Sequence, residues 1–329
     1  MTEQTSIIRW GIIAPGKIAH KFAEDLAKVP SAKLMAVASR DLERATAFGE
    51  QYGAKYFYGN YAQIVDCPEL DVVYVASPHI GHHDQTLLCI NAGVPVLCEK
   101  AFAMNARQVN QMVLTARTQK VFLMEALWSR FMPHIHKLLE LLPSIGHVHL
   151  LKADFGFKAE IDLTKRLFNK ALGGGALLDI GIYPLFLSYL VLGNPSRIQA
   201  TAQFTETDVD ETDGIVLDYN SGSRAVLDCT FRATTRCEAF IYGEYGTISI
   251  PSRWHESKSI TVSYYDGRTQ TFNFERDTHG YNYEIEAVGD CLRNNQTESK
   301  IWTLTDSQLL MHLLDDVRQA AGIIYEQWD

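Results

Sequence analysis

Three short segments of this chain place polar groups beside apolar runs, where packing alone does not call for them. In CEKA (98–101), Glu99 and Lys100 end the buried-strand run VPVL. A lysine desolvated at such a strand end costs several kcal/mol unless it is paired or used. In GGGALLDIGIYP (173–184), Asp179 and Tyr183 are four residues apart, so a helix places them on one face, one turn apart. An aspartate and a phenol inside an apolar helix suit proton transfer; the alternative is an amphipathic core tyrosine whose hydroxyl Asp179 satisfies. The third segment, SPHIGHHD (77–84), reads either as a histidine-bearing site loop or as ordinary helix-capping sequence. A nearby ammonium favours phenolate, so Lys100 and Tyr183, oriented by Asp179, form a candidate general acid/base set.

The elements that position these groups follow from periodicity. Over the first 125 residues, β-rich apolar runs (Ile7–Ile13, Leu34–Ala38, Val72–Ala76, VPVLC at 94–98, VFLME at 121–125) alternate with helical patterns (Gly16–Lys28, Asp41–Tyr52, Gly81–Asn91, Met104–Thr118). Such alternation implies right-handed crossovers and a doubly wound parallel sheet, with strands apolar on both faces. The candidate segments fall at strand ends, where open α/β sheets bind ligands.

The first strand ends in GIIAPGKIA (11–19), a variant of the dinucleotide fingerprint with Ala14 in place of the first glycine, then Gly16 and Ala19. Gly16 lets a pyrophosphate approach the backbone, and the following helix N-terminus presents unpaired N–H groups. Lys17 either adds charge there or is a solvated surface lysine. The second strand ends in Ser39-Arg40, with no acid to accept from a ribose 2′-hydroxyl. A hydroxyl and a guanidinium fit a 2′-phosphate, which points to NADP rather than NAD; Asp41 reads as a helix cap.

Beyond Trp128 the pattern changes. A helix at 133–142, a strand at 147–157 and a strong helix at 175–192 precede successive strands from Ile198 to Phe274, with turn signals YNSGS (219–223), EYGT (244–247) and YDGR (265–268). Helices at 281–293 and 305–321 end the chain. This reads as an α+β half on a mainly antiparallel open sheet, giving a Rossmann domain over 1–126 and a substrate and dimerisation domain over 127–329. A sheet covered by helices on one face and bare on the other predicts a homodimer through it.

With 329 residues, a net charge of −9 and a pI near 5.7, the chain is suited to two globular domains and unsuited to coating nucleic acid. The N-terminus lacks the pattern of a secretory signal, and the longest apolar stretch, Tyr183–Leu192, is about half of what a membrane helix requires. The six cysteines contain no CxxC pair, so neither a metal site nor a dense disulfide framework is supported, and reduced thiols in a cytoplasmic protein are the expectation.

Taken together, CEKA (98–101), FLMEALWSRFMP (122–133) and GGALLDIGIYP (174–184) resemble the Gfo/Idh/MocA family, the glucose–fructose oxidoreductase and inositol 2-dehydrogenase superfamily. The last two segments are similar to its NADP-using subgroup of dihydrodiol and D-xylose dehydrogenases. The resemblance implies an NADP-dependent oxidoreductase acting on a sugar, polyol or vicinal diol, with Lys100 as the motif lysine near the nicotinamide, Tyr183 as general acid/base and Asp179 as its pocket partner. It also implies that Ala14, Pro15, Gly16, Lys17, Ile18, Ser39, Arg40, Ser77, His79, His82 and Glu99 line the cofactor. Trp128 and Arg130 would face cofactor or substrate, and Phe155 would contact substrate. Ala101 stands where the family has a proline, commonly after a cis bond, which leaves both isomers of the Lys100–Ala101 bond open. The rival reading is a dinucleotide-binding regulator that kept the fold without turnover.

Overall fold

The computed structural model describes residues 6–329; the first five, part of the segment read above for a secretory signal, lie outside the described residues. Two compact units are present: Met1–Phe131 with Arg276–Gln308, and Met132–Glu275 with Leu309–Asp329.

In the first unit, β1 (Ile8–Ile13), β2 (Ala32–Ala38), β3 (Tyr56–Tyr58), β4 (Val72–Val75), β5 (Val96–Glu99) and β6 (Leu123–Ala126) pair in parallel in the order β3-β2-β1-β4-β5-β6. Helices α1 (Lys17–Leu26), α2 (Leu42–Tyr52), α3 (His79–Asn91) and α4 (Ala106–Gln119) are the crossovers. The doubly wound sheet is therefore as its alternating pattern predicts, and β4 and β5 are buried along their whole length. The edge strand β3 escaped prediction because it has only three residues, all half-buried. Asp41 caps α2, its Oδ1 accepting from the Glu43 and Arg44 N–H groups at 2.9 and 3.4 Å.

Residues 276–308, expected in the second half, count with this first unit. They include α7 (Asn282–Arg293), and the buried Asp25 carboxylate accepts from the His279 and Tyr281 N–H groups at 2.9 and 2.8 Å. The Trp302 indole donates to Glu125 at 3.0 Å. The Lys100–Ala101 peptide bond is cis.

The second unit holds an eight-stranded sheet of β7 (Val148–Gly156), β8 (Arg197–Phe204), β9 (Asp210–Asp218), β10 (Arg224–Thr230), β11 (Ala239–Gly243), β12 (Gly246–Ile250), β13 (Ser259–Tyr264) and β14 (Thr269–Asn273). All three turn signals close antiparallel hairpins, β9–β10, β11–β12 and β13–β14. One pair, β7–β10, is parallel, so the sheet is mainly antiparallel as expected. In β10 exposed Arg224, Val226 and Asp228 alternate with buried Ala225, Leu227 and Cys229, so one face is packed and the other open. Helices α5 (Pro133–Leu141), α6 (Ile182–Leu192) and most of α8 (Leu304–Ala321) also belong here.

Two expectations need correction. The helix foreseen from residue 175 is not regular: Leu177–Gly181 form a wider π turn, and α6 begins only at Ile182. The Leu177 N–H donates to the Asp210 carboxylate at 2.7 Å, which binds the start of that turn to a side chain of β9. The helical stretch Lys170–Leu192 is also long and apolar enough to cross a membrane by length and composition, not half as long as required; 78% of its apolar window is buried inside the protein. All six cysteines are unpaired and buried.

Candidate active site

The ends of β1 and β2 and the start of α1 form the dinucleotide-binding candidate. Ala14 takes a left-handed backbone (φ +63°), an unusual conformation for a residue with a Cβ, and turns the chain into Pro15 and Gly16. Gly16 precedes α1 with no capping side chain, and no acidic residue lies in the helix's first turn. A Cβ at Gly16 would meet nothing closer than the Ala14 carbonyl oxygen at 3.8 Å, so the backbone there borders open space. An uncapped helix N-terminus behind an open glycine suits an anion, and these residues fit a pyrophosphate. Ile18 is half-buried and Lys17 exposed. Ser39 is buried and Arg40 exposed at the end of β2. Arg44, which sequence reasoning did not single out, donates to the Pro15 carbonyl at 2.9 and 3.2 Å and braces the loop.

The loops after β4 and β5 are tied together by one buried histidine. His82 lies with its ring nitrogens 2.8 Å from the Ser77 carbonyl oxygen and 2.7 Å from that of Ala101, and the His79 ring meets its ring edge-on at 5.6 Å. Glu99 accepts from the Tyr74 hydroxyl and, at 3.2 Å, from the Lys100 backbone N–H. Four of the predicted positions (Ser77, His82, Glu99 and Lys100) thus come together around the cis bond. Burial raises the Tyr74 hydroxyl's pKa well above its ordinary value, and the charge of Glu99 adds to the effect.

Farther along the same unit, Trp128 stacks on Tyr281, ring centroids 5.0 Å apart. Arg130 carries Nε and Nη1 atoms that are buried and meet no hydrogen-bond acceptor among the described residues. Burial lowers this guanidinium below the ordinary arginine range, and the Asp306 charge opposes that shift. Tyr281 was missed because it lies far along the chain, with no motif around it.

On the second unit, Phe155 from β7, Tyr183 from α6 and His255 form an aromatic cluster. Phe155 and His255 stack at 4.3 Å, and the Tyr183 ring lies 5.3 Å from Phe155 and 5.2 Å from His255. Tyr183 and His255 are 5% and 3% exposed, so the phenol is almost wholly removed from solvent. Asp179 accepts from the Arg166 guanidinium at 3.0 Å, an ion pair that holds its carboxylate in place. Neither Arg166 nor His255 was foreseen; each lies in a three-residue 3₁₀ turn with no pattern of its own. Lys100 is on the first unit and half-buried.

A family model described as the oxidoreductase family, NAD-binding Rossmann fold, matches residues 8–127, and the GFO/IDH/MocA C-terminal domain matches residues 143–249. The chain belongs to the Gfo/Idh/MocA family. This Gfo/Idh/MocA chain is 39% identical to the trans-1,2-dihydrobenzene-1,2-diol dehydrogenase of Xenopus tropicalis over 329 residues, 96% of this chain and 99% of the relative. The human protein of the same name is 32% identical over 335 residues, covering 97% and 98%. Among solved structures, a 3-ketoreductase from Actinomadura kijaniata in complex with NADP superimposes with a TM-score of 0.87 at 24% identity, over 96% of this chain and 98% of that one. The aldose-aldose oxidoreductase of Caulobacter crescentus also gives 0.87, at 23% identity and the same coverage. Those two likenesses establish the shared fold. The Gfo/Idh/MocA assignment makes the chain an oxidoreductase whose first domain takes a nicotinamide dinucleotide.

Proposed function

We propose that this protein is an NADP-dependent dehydrogenase that moves a hydride between nicotinamide and a carbinol or hemiacetal carbon of a sugar, polyol or vicinal diol. The observation that carries the cofactor choice is the end of β2: Ser39 and Arg40 are placed there, while the one nearby acid, Asp41, is engaged as the cap of α2. A planar guanidinium beside a hydroxyl recognises phosphate. The substrate class rests on the relatives named as dihydrodiol dehydrogenases at 32–39% identity.

Bound at Gly16 and Arg40, the dinucleotide supplies the hydride donor or acceptor. The residues of this chain supply the proton and the orientation. In the oxidative direction Tyr183 takes the proton from the substrate hydroxyl as the carbon loses hydride; in reduction it returns that proton to the oxygen. Lys100 is assigned the role of favouring phenolate, since an ammonium stabilises a nearby anion. Asp179, fixed by Arg166, orients the substrate or the phenol. Phe155 and Trp128 offer apolar walls for a diol ring or sugar face, and Ser77, His79, His82, Glu99 and Arg130 complete the cofactor side.

The decisive experiment follows NADPH and NADH absorbance across a panel of dihydrodiols, aldoses and polyols. Turnover of a diol or sugar with NADP(H) supports the reading; tight binding without turnover across the panel supports the regulator instead. Arg40→Ala is expected to weaken NADPH binding roughly 10- to 100-fold, the worth of a charge-assisted contact, while NADH binding changes by less than about twofold. Isothermal titration with the two cofactors reads the difference.

The same reading includes a cytoplasmic homodimer through the open face of the second unit's sheet, where Val226 is 38% exposed. Light scattering at micromolar concentration should give about twice the chain mass; a monomer there removes the dimer from the proposal.

A further inference from the structure

Strand β9 buries two carboxyl groups against the turn that carries Asp179, and neither has a role in the chemistry above. Asp210 and Asp213 are 0% and 1% exposed. Asp210 Oδ2 accepts from the Leu177 N–H at 2.7 Å, and Asp213 Oδ2 accepts from the Cys229 thiol at 3.1 Å, directly across the β9–β10 ladder. The Oδ1 atom of each is fully buried and meets no hydrogen-bond donor among the described residues. Both stand on the buried side of β9, three residues apart, and each shifts the other's carboxyl.

The surrounding groups do not fill the gap. The Cys229 thiol is committed to Asp213 Oδ2, and the Tyr325 hydroxyl donates to the Gly174 carbonyl. Arg318 is held by Asp315 and Asp329, each at 2.9 Å, and Asp228 adds further negative charge near Cys229. Two unpaired anions in such a place cannot both be maintained, whereas one proton between them satisfies both orphaned oxygens.

We propose that Asp210 and Asp213 are a positioning pair that shares a single proton, with Asp213 donating to the Asp210 carboxylate, and so anchors the Leu177 N–H at the start of the π turn bearing Asp179. The pair acts on catalysis through that turn and the helix that follows it, which carries Tyr183; this part rests on the reading of Tyr183 as the acid/base. Burial, joined by the Asp210 charge, pushes the Asp213 carboxyl up to about 9. The anchoring holds while Asp213 keeps that proton, which the unfolded chain loses in the ordinary aspartate range, and it is lost in the fold as pH rises through about 9.

Hydrogen exchange of the peptide containing Leu177, measured on the full chain and corrected for intrinsic rates, tests the pair without reference to activity. Protection in the wild type is expected to fall at least about tenfold between pH 7 and pH 10. Asp213→Asn keeps a donor toward Asp210 and should hold its protection to pH 10, whereas Asp213→Ala should be weakly protected throughout. The alkaline limb of kcat should move outward in Asp213→Asn to the same extent. Flat wild-type protection, or Asp213→Asn behaving like Asp213→Ala, overturns the proposal. Tyr183→Phe separates the two ideas: unchanged turnover with the expected exchange pattern removes only the role of Tyr183, and lost turnover without the exchange pattern removes only the pair.

Discussion

Tyr183→Phe should lower kcat by roughly 10²–10⁴, the range of a positioned general acid/base, while the affinity for NADPH stays within about twofold. The substitution removes one oxygen and leaves the ring, so the contacts at 5.3 Å to Phe155 and 5.2 Å to His255 persist and the aromatic cluster keeps its shape. Cofactor affinity is expected to hold because Gly16, Ser39 and Arg40, the residues proposed to bind the dinucleotide, are unaltered. Single-turnover kinetics with saturating NADPH would place the loss on the chemical step, and a solvent isotope effect should shrink once the phenolic proton is gone. Unaltered turnover would take Tyr183 out of the mechanism.

A second large effect is expected at Gly175. Its φ of +133° lies in a region that residues with a Cβ rarely occupy, and a Cβ there would stand 2.2 Å from Asp210 Oδ1 and 2.7 Å from the Tyr325 hydroxyl. Neither neighbour yields easily: Asp210 holds the Leu177 N–H, and Tyr325 donates to Gly174. Gly175→Ala therefore combines backbone strain with overpacking, each of order 1–3 kcal/mol, for a destabilisation of roughly 3 kcal/mol or more. Chemical denaturation would show the midpoint shift. Because the clash falls on the anchor of the π turn, activity should drop before the chain unfolds. A midpoint and kcat equal to wild type would mean that the loop relaxes freely.

Much of this arrangement was legible from residue order. Apolar runs without alternation, separated by amphipathic helical spacing, dictate a parallel sheet covered on both faces, and β1, β2, β4, β5 and β6 are where those runs lie. Hairpin signals such as YDGR specify their turns locally, so β13 and β14 pair as expected. Asp41 was readable as a cap because capping involves only the next three residues. The three-residue β3 has too few positions to show a period, and the π turn depends on a carboxylate 33 residues away.

The sequence by itself determined the two kinds of sheet, the loop of small residues before α1 and the identity of the polar groups at the strand ends, since each follows from spacing within a few residues. Tertiary structure decided which distant groups complete them: Arg166 on Asp179, His255 on Phe155 and Tyr183, and Asp210 on the turn between. It also decided that residues 276–308 pack with the first unit. These pairings form between segments with no local signal of their own, because what selects them is the burial of charge and aromatic surface once the sheets have formed.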